Sequence, residues 1–197
     1  MRIIGGRIRG RKLLAPGKRF GDLIRPTSDR AREALFNILG RKVAGARVLD
    51  LFAGTGALGL EALSRGAAEV VFVDGNHEAA ALIERNVAAC GFAGQATVLR
   101  RDLTTGLAFL SPLKPANGFD LVFLDPPYGV RIGQRLLEVL SGEKLLSPTA
   151  VVILEDRAGE ECPEQAGNLL CFDRRRYGEA GFWLYGMEEA ENGEGRP

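Results

Sequence analysis

No stretch of the 197-residue chain approaches the roughly 20 consecutive apolar residues that a membrane span needs. The opening Met1-Arg2-Ile3-Ile4-Gly5-Gly6 puts no long apolar run behind its charge, so a secretory leader is not expected. Cysteine is scarce: Cys90, Cys162 and Cys171 are odd in number, far apart and form no Cys-x-x-Cys pair. Neither a disulfide framework nor a metal site is expected, and a reducing cytoplasm is the expected setting. His77, the one histidine, follows Asp74 at a helix start without companion ligands and reads as a surface or cofactor-edge residue. The one tryptophan, Trp183, reads as core or edge packing. Apolar residues are not lacking: at 46% they support a true core and exclude a disordered chain. The length suits one domain with a small appendage.

Net charge is also nearly absent, at +1, but this balance hides an asymmetry. Residues 1–47 hold 13 Lys/Arg against Asp22, Asp29 and Glu33, while the remainder holds 13 against 22 acids. The block Arg7, Arg9, Arg11, Lys12, Lys18, Arg19 and Arg25 is a candidate phosphate-binding surface. The alternative is a solvated arm, or one paired with acids elsewhere in the fold. Residues 188–197 are acidic and aperiodic and read as a disordered tail.

The first fifteen residues fit short twisted strands or a hairpin, with Gly5, Gly6 and Gly10 as bends. Thr27, Ser28 and Asp29 offer N-cap chemistry to a helix carrying Ala31, Ala34, Leu35, Ile38 and Leu39, with Gly40 as its stop. Beyond residue 46 strands and helices alternate. Strands are expected at 47–52, 70–73, 96–99, 119–124 and 150–155, with helices at 57–65, 78–90 and 132–140. Strands joined by helices imply right-handed crossovers and a parallel sheet covered on both faces. Two further strands, 169–174 and 181–185, follow without a helix between them and suggest an antiparallel hairpin at one edge. The expected division is a basic extension, 1–46, a main domain, 47–187, and the tail, 188–197.

Two motifs carry chemistry. In Asp50-Leu51-Phe52-Ala53-Gly54-Thr55-Gly56-Ala57-Leu58-Gly59, glycines turn the chain from strand to helix and allow a ligand close to bare backbone. Read alone, Gly54, Gly56 and Gly59 also fit a dinucleotide site. Asp50 speaks against a pyrophosphate and for a ligand with positive charge, such as a methionine ammonium; its alternative role is to cap the glycine turn. Asp74, at the end of the next strand, can accept from ribose hydroxyls. Asp102, after the third, can reach an adenine amine or serve as an ordinary loop acid.

Asp125-Pro126-Pro127-Tyr128 follows an apolar strand. Two prolines remove two N–H donors and, with the Asp125 carboxylate, leave a corner made of acceptors. Such a corner suits an amino group, and Tyr128 offers a face for stacking a base. An aromatic amine is a poor nucleophile because its lone pair is delocalised into the ring. Accepting both N–H groups would draw the lone pair out of conjugation and aim it at a methyl on a sulfonium, so catalysis is mainly positioning. The plainer reading is a Pro-Pro turn. Arg174-Arg175-Arg176 could touch RNA or remain a solvated run.

Asp50–Gly56 together with Asp125–Tyr128 resembles the class I aminomethyltransferases. The stretches 2–6, 25–37, 56–67 and 176–178 more specifically resemble the RsmD family, bacterial 16S rRNA guanine-N2 methyltransferases. The resemblance implies an α/β Rossmann-like fold, with a seven-stranded mostly parallel sheet, helices on both faces and a C-terminal antiparallel hairpin. It implies S-adenosyl-L-methionine as methyl donor, no metal, and small-subunit rRNA as partner, in an assembled or assembling 30S particle met by a monomer. On this reading Asp50, Phe52, Gly54, Gly56, Asp74, Asp102 and Thr27 form the cofactor site. Asp125, Pro126, Pro127 and Tyr128 hold the target guanine. Arg7, Arg9, Arg11, Lys12, Arg25 and Arg30 engage RNA. Rival readings are methylation of adenine N6 or of a glutamine side chain, a nicotinamide-dependent oxidoreductase, and a non-catalytic RNA-binding protein of the same fold.

Overall fold

The structure, a computed structural model, describes residues 1–15, 28–127 and 131–188. Arg25, Thr27, Tyr128 and most of the acidic tail therefore lie outside the described residues.

The long apolar runs of the middle of the chain become a sheet buried on both faces. Its strands are β1 (Arg47–Leu51), β2 (Glu69–Asp74), β3 (Ala96–Arg100), β4 (Phe119–Leu124), β5 (Leu146–Arg157), β6 (Gln165–Ala166), β7 (Leu169–Tyr177) and β8 (Ala180–Met187). They lie in the order β3-β2-β1-β4-β5-β8-β7-β6. The first five are parallel, and β8, β7 and β6 complete the sheet antiparallel. The two-residue β6 is an eighth strand beyond the seven expected; two residues leave no periodicity to read. Strand β5 starts earlier than 150 because Pro148 sits where the register with β4 shifts, between the pairs Phe119–Leu146 and Leu121–Val151, a break that hides the start of the strand.

Helix α1 (Asp29–Leu39) is capped by Ser28, whose hydroxyl accepts from the Ala31 N–H, and stops at Gly40 with φ +51°. Helix α2 is Ala57–Ser64, α3 is His77–Cys90 and α4 is Ile132–Gly142. The Asn76 side chain caps α3, and Gly91, left-handed at φ +75°, ends it. One apolar layer joins α1, α2 and α3 to Val48, Phe123 and Ile153 of the sheet; the opposite layer joins α4 and Leu103, Leu107 and Leu110 to Leu49, Leu124 and Leu154.

The N-terminal segment belongs to the first layer. Ile3 and Leu13 are buried in it, and the chain folds back on itself through Ile3 N–H to Arg11 C=O (2.9 Å), Gly10 N–H to Ile3 C=O (2.8 Å) and an Arg2–Lys12 bridge. Of the two expected forms, short strands or a hairpin, the arm takes the hairpin-like one. Among the described residues no helix is long and apolar enough to cross a membrane.

Candidate active site at the carboxyl edge of the sheet

Strand order reverses at β1, which pairs with β2 on one side and β4 on the other. Open α/β sheets present their ligand crevice at such a switch, outside the carboxyl ends of the strands. The predicted cofactor-site and prolyl-corner residues that the structure describes gather at that end.

The turn after β1 is built tightly. Phe52 has φ +58°, the one non-glycine among the described residues with positive φ, and Gly54 and Gly56 follow at +56° and +77°. Ala53 N–H reaches Val73 C=O (3.1 Å), Gly56 N–H reaches Ala53 C=O (2.7 Å), and Asp125 N–H reaches Leu51 C=O (3.4 Å). These bonds tie the glycine loop to both neighbouring strands. Asp50, 1% exposed, accepts from Gly59 N–H in the first turn of α2 (2.9 Å), so it does cap the turn. Burial, with Asp74 nearby, pushes its carboxyl up to about 7 despite that bond.

Asp74 is half-buried. One of its oxygens accepts from Gly54 N–H (2.9 Å) and the other from Asn76 N–H (2.8 Å), so it fastens the glycine loop to the end of β2. A carboxylate has lone pairs beyond these two. Asp102 is exposed and caps a 3₁₀ turn, accepting from the Thr104 N–H (2.9 Å) and hydroxyl (2.7 Å), bonds that lower its pKa. Its backbone passes beside Gly75, which places it next to the Asp74 turn.

Asp125 is half-buried and Pro126 buried, while Pro127 is exposed. The Asp125 carboxyl is held well above the usual range, first by burial and then by the charges of Glu155, Asp50 and Asp156. Glu155 and Asp156, at the end of β5, are 3% and 8% exposed. Four carboxyl groups therefore crowd one edge. The sequence reading missed the β5 pair, although the rule that singled out Asp50, Asp74 and Asp125, an acid closing an apolar strand, applies to Glu155-Asp156 as well. Among the described residues no group of His, Cys, Asp or Glu could hold a metal ion.

The arm's candidate residues Arg7, Arg9, Arg11 and Lys12 are exposed, as is Arg30 on α1. Arg7 donates to Gln95 Oε1 (2.8 Å) and lies over the Phe92 ring (4.6 Å to its centroid), and Arg11 donates to Ala89 C=O. These partners are neutral and leave the positive charge uncompensated. Acids do pin the arm's backbone from below. Glu61 of α2, fully buried, accepts from Ile4 N–H and Gly5 N–H, each at 2.7 Å, and from Arg65 Nε at 2.7 Å. Arg32, 1% exposed, lies 3.9 Å from Glu61 and donates to Arg2 C=O (2.6 Å) and Asp29 (3.0 Å). The signal for this network was a glutamate and an arginine on core-facing positions of apolar helices.

A family model described as "Conserved hypothetical protein 95" matches residues 1–186. The chain is 34% identical over 188 residues to ribosomal RNA small subunit methyltransferase D of Escherichia coli strain K12, covering 95% of this chain and 90% of that one. It is 36% identical over 156 residues to the protein of that name from Haemophilus influenzae, covering 79% and 78%. An Escherichia coli protein of solved structure, yhhF, superposes with a TM-score of 0.78 at 34% identity, covering 95% of this chain and 98% of that one. Fold, motifs and these likenesses agree: the chain belongs to the RsmD family.

Proposed function

We propose that this chain transfers the methyl group of S-adenosyl-L-methionine to the exocyclic N2 amine of a guanine in small-subunit rRNA. The observation that carries this reading is the crowding of Asp50, Asp125, Glu155 and Asp156 around the glycine turn and the prolyl corner. An edge where Glu155, Asp50 and Asp156 all act on the Asp125 carboxyl repels pyrophosphate and favours a cation. The sulfonium and ammonium of the methyl donor supply that charge, so the residues fit the cofactor, and they do not fit a nicotinamide dinucleotide. When bound, the cofactor supplies an electrophilic methyl.

The chain's own residues do the rest. Asp50, Phe52, Gly54 and Gly56 line the methionine end. Asp74 offers its spare lone pairs to the ribose, and Asp102 lies beside it for the adenine. Asp125 and a carbonyl of the Pro126-Pro127 corner accept the two N–H groups of the target amine. Burial and the neighbouring carboxyls raise the pKa of Asp125, and a cation bound beside it favours the carboxylate that accepts. The product proton leaves to water. Thr27 and Tyr128 complete the cofactor and base pockets in this reading.

Residues 1–46 form the RNA-engaging extension of a catalytic domain spanning 47–187. Arg7, Arg9, Arg11, Lys12 and Arg30, with Arg25, meet phosphates. The chain works as a monomer on an assembled or assembling 30S particle in the cytoplasm. Mass mapping of 16S rRNA from a strain lacking the protein tests this. One missing N2-methylguanosine, restored by wild type and not by Asp125→Ala, is the expected result. A complete set of guanine methyl marks, or a missing mark on adenine, would refute it.

A further inference from the structure

Asn86 lies on α3, fully buried, and its amide is used on both sides. Its Oδ1 accepts from Leu14 N–H at 2.7 Å. Its Nδ2 donates to Leu14 C=O at 3.4 Å and to Thr55 C=O at 3.0 Å. Leu14 lies next to the end of the described arm, and Thr55 sits between the two glycines of the cofactor loop. A single side chain therefore grips both. A second contact closes the ring, since the Thr55 hydroxyl lies 3.5 Å from Met1 Sδ at the other end of the arm. The same helix carries the charges of the arm, through Arg11 on Ala89 C=O and, just past its end, Arg7 on Phe92 and Gln95.

We infer that Asn86 is a positioning residue that makes the basic arm and the glycine loop one unit, so that RNA held on the arm and cofactor held on the loop bind with positive coupling. The inference rests on the RNA-binding reading of the arm. The loop cannot shift at Thr55 without leaving a buried donor on Asn86 unpaired, which is costly. The amide in turn cannot move without releasing Leu14 at both its N–H and its C=O. A ligand that orders the loop therefore orders the arm in advance, and the second ligand to bind meets less disorder to remove. Linkage makes the effect reciprocal.

The test uses the full-length protein and unmethylated small subunits purified from a strain lacking it. Co-sedimentation gives the affinity for subunits without and with saturating S-adenosylhomocysteine. Wild type is expected to tighten about fivefold or more with the cofactor product present. Asn86→Leu is expected to bring that ratio to within about twofold of unity. Leu14→Pro, at an exposed position, removes the Leu14 N–H without opening the core and should do the same; it decides alone if Asn86→Leu does not fold. A residue that merely stabilised the fold would lower the active fraction and leave the ratio unchanged. The inference falls if wild type shows no coupling or if a folded variant keeps it. Charge reversal at Arg7, Arg9 and Arg11 separates the underlying reading: if subunit affinity is then unchanged, the arm does not bind RNA at all.

Discussion

Asp50 and Asp125 occupy positions that work against the stability of the fold. Each has its carboxyl pKa raised by burial, Asp50 to about 7. An aspartate in the unfolded chain titrates near about 3.9. Stability is therefore whole below about pH 4 and is lost as pH rises toward the folded value, because the unfolded state ionises first. Asp50→Asn keeps an acceptor for Gly59 N–H and removes that cost. Its melting temperature should exceed that of wild type at pH 8 by more than it does at pH 5, with a free-energy gap of up to roughly 4 kcal/mol at 1.36 kcal/mol per unit. A gap independent of pH would show that Asp50 does not titrate in this way. Cofactor affinity should fall in the same variant, since the negative charge is what the methionine end meets. Asp125→Ala should behave differently: methyl transfer drops by at least about 100-fold, the scale of a lost positioning contact, while calorimetry finds S-adenosylhomocysteine affinity within a few-fold of wild type. Wild-type turnover in that variant would end the amine-clamping account.

At the scale of elements, α2 carries several attachments, two of them two residues apart. Gly59 N–H is held by Asp50, and Glu61 holds the arm. Glu61→Gln removes the charge opposite Arg65 and Arg32 and leaves Arg32 buried with less compensation. Breaking one side of a buried ion pair costs about 3–5 kcal/mol, so urea unfolding should show a loss of that size, and a loss below 1 kcal/mol would demote the network. These contacts mark where the sequence was legible and where it was not. Helices and strands from 47 onward could be read because apolar periodicity records burial directly, and strand-closing acids could be read because the sheet places them together. Glu61, Arg32 and Asn86 could not be read as partners of the arm, because their bonds run to backbone atoms 30 to 72 residues away and backbone carries no residue identity. The capping role of Asp102 was open for a related reason: the same carboxylate closes a turn or reaches a ligand, and spacing does not separate the two.

Over the whole molecule, the arm's arginines and the acidic ligand edge lie toward opposite ends of the sheet: Arg7 meets Gln95 just before β3 and Arg11 meets the last turn of α3, while Asp50, Asp125 and Glu155 stand at the carboxyl ends of their strands. The two regions suit opposite partners, a phosphate backbone and a cationic cofactor. Replacing Arg7, Arg9 and Arg11 with glutamine should weaken binding to small subunits and flatten its dependence on salt concentration, with up to three fewer counterions released. Affinity measured between 50 and 200 mM salt checks this, and an unchanged slope would remove the arm from the interface. Cofactor affinity without RNA should change little, since Arg7 and Arg11 touch α3 and the turn after it and not the glycine loop.

The docking of the arm also dictates an order of assembly. Its anchors at Glu61, Asn86 and Gln95 lie 57, 72 and 88 residues downstream of the positions they hold. During synthesis the first fifteen residues leave the ribosome before their seat exists, and long-range closure of this kind is slow. A later part of the nascent chain must therefore complete the berth for an earlier one, and the arm's arginines reach their final placement only once the chain through Gln95 has been made.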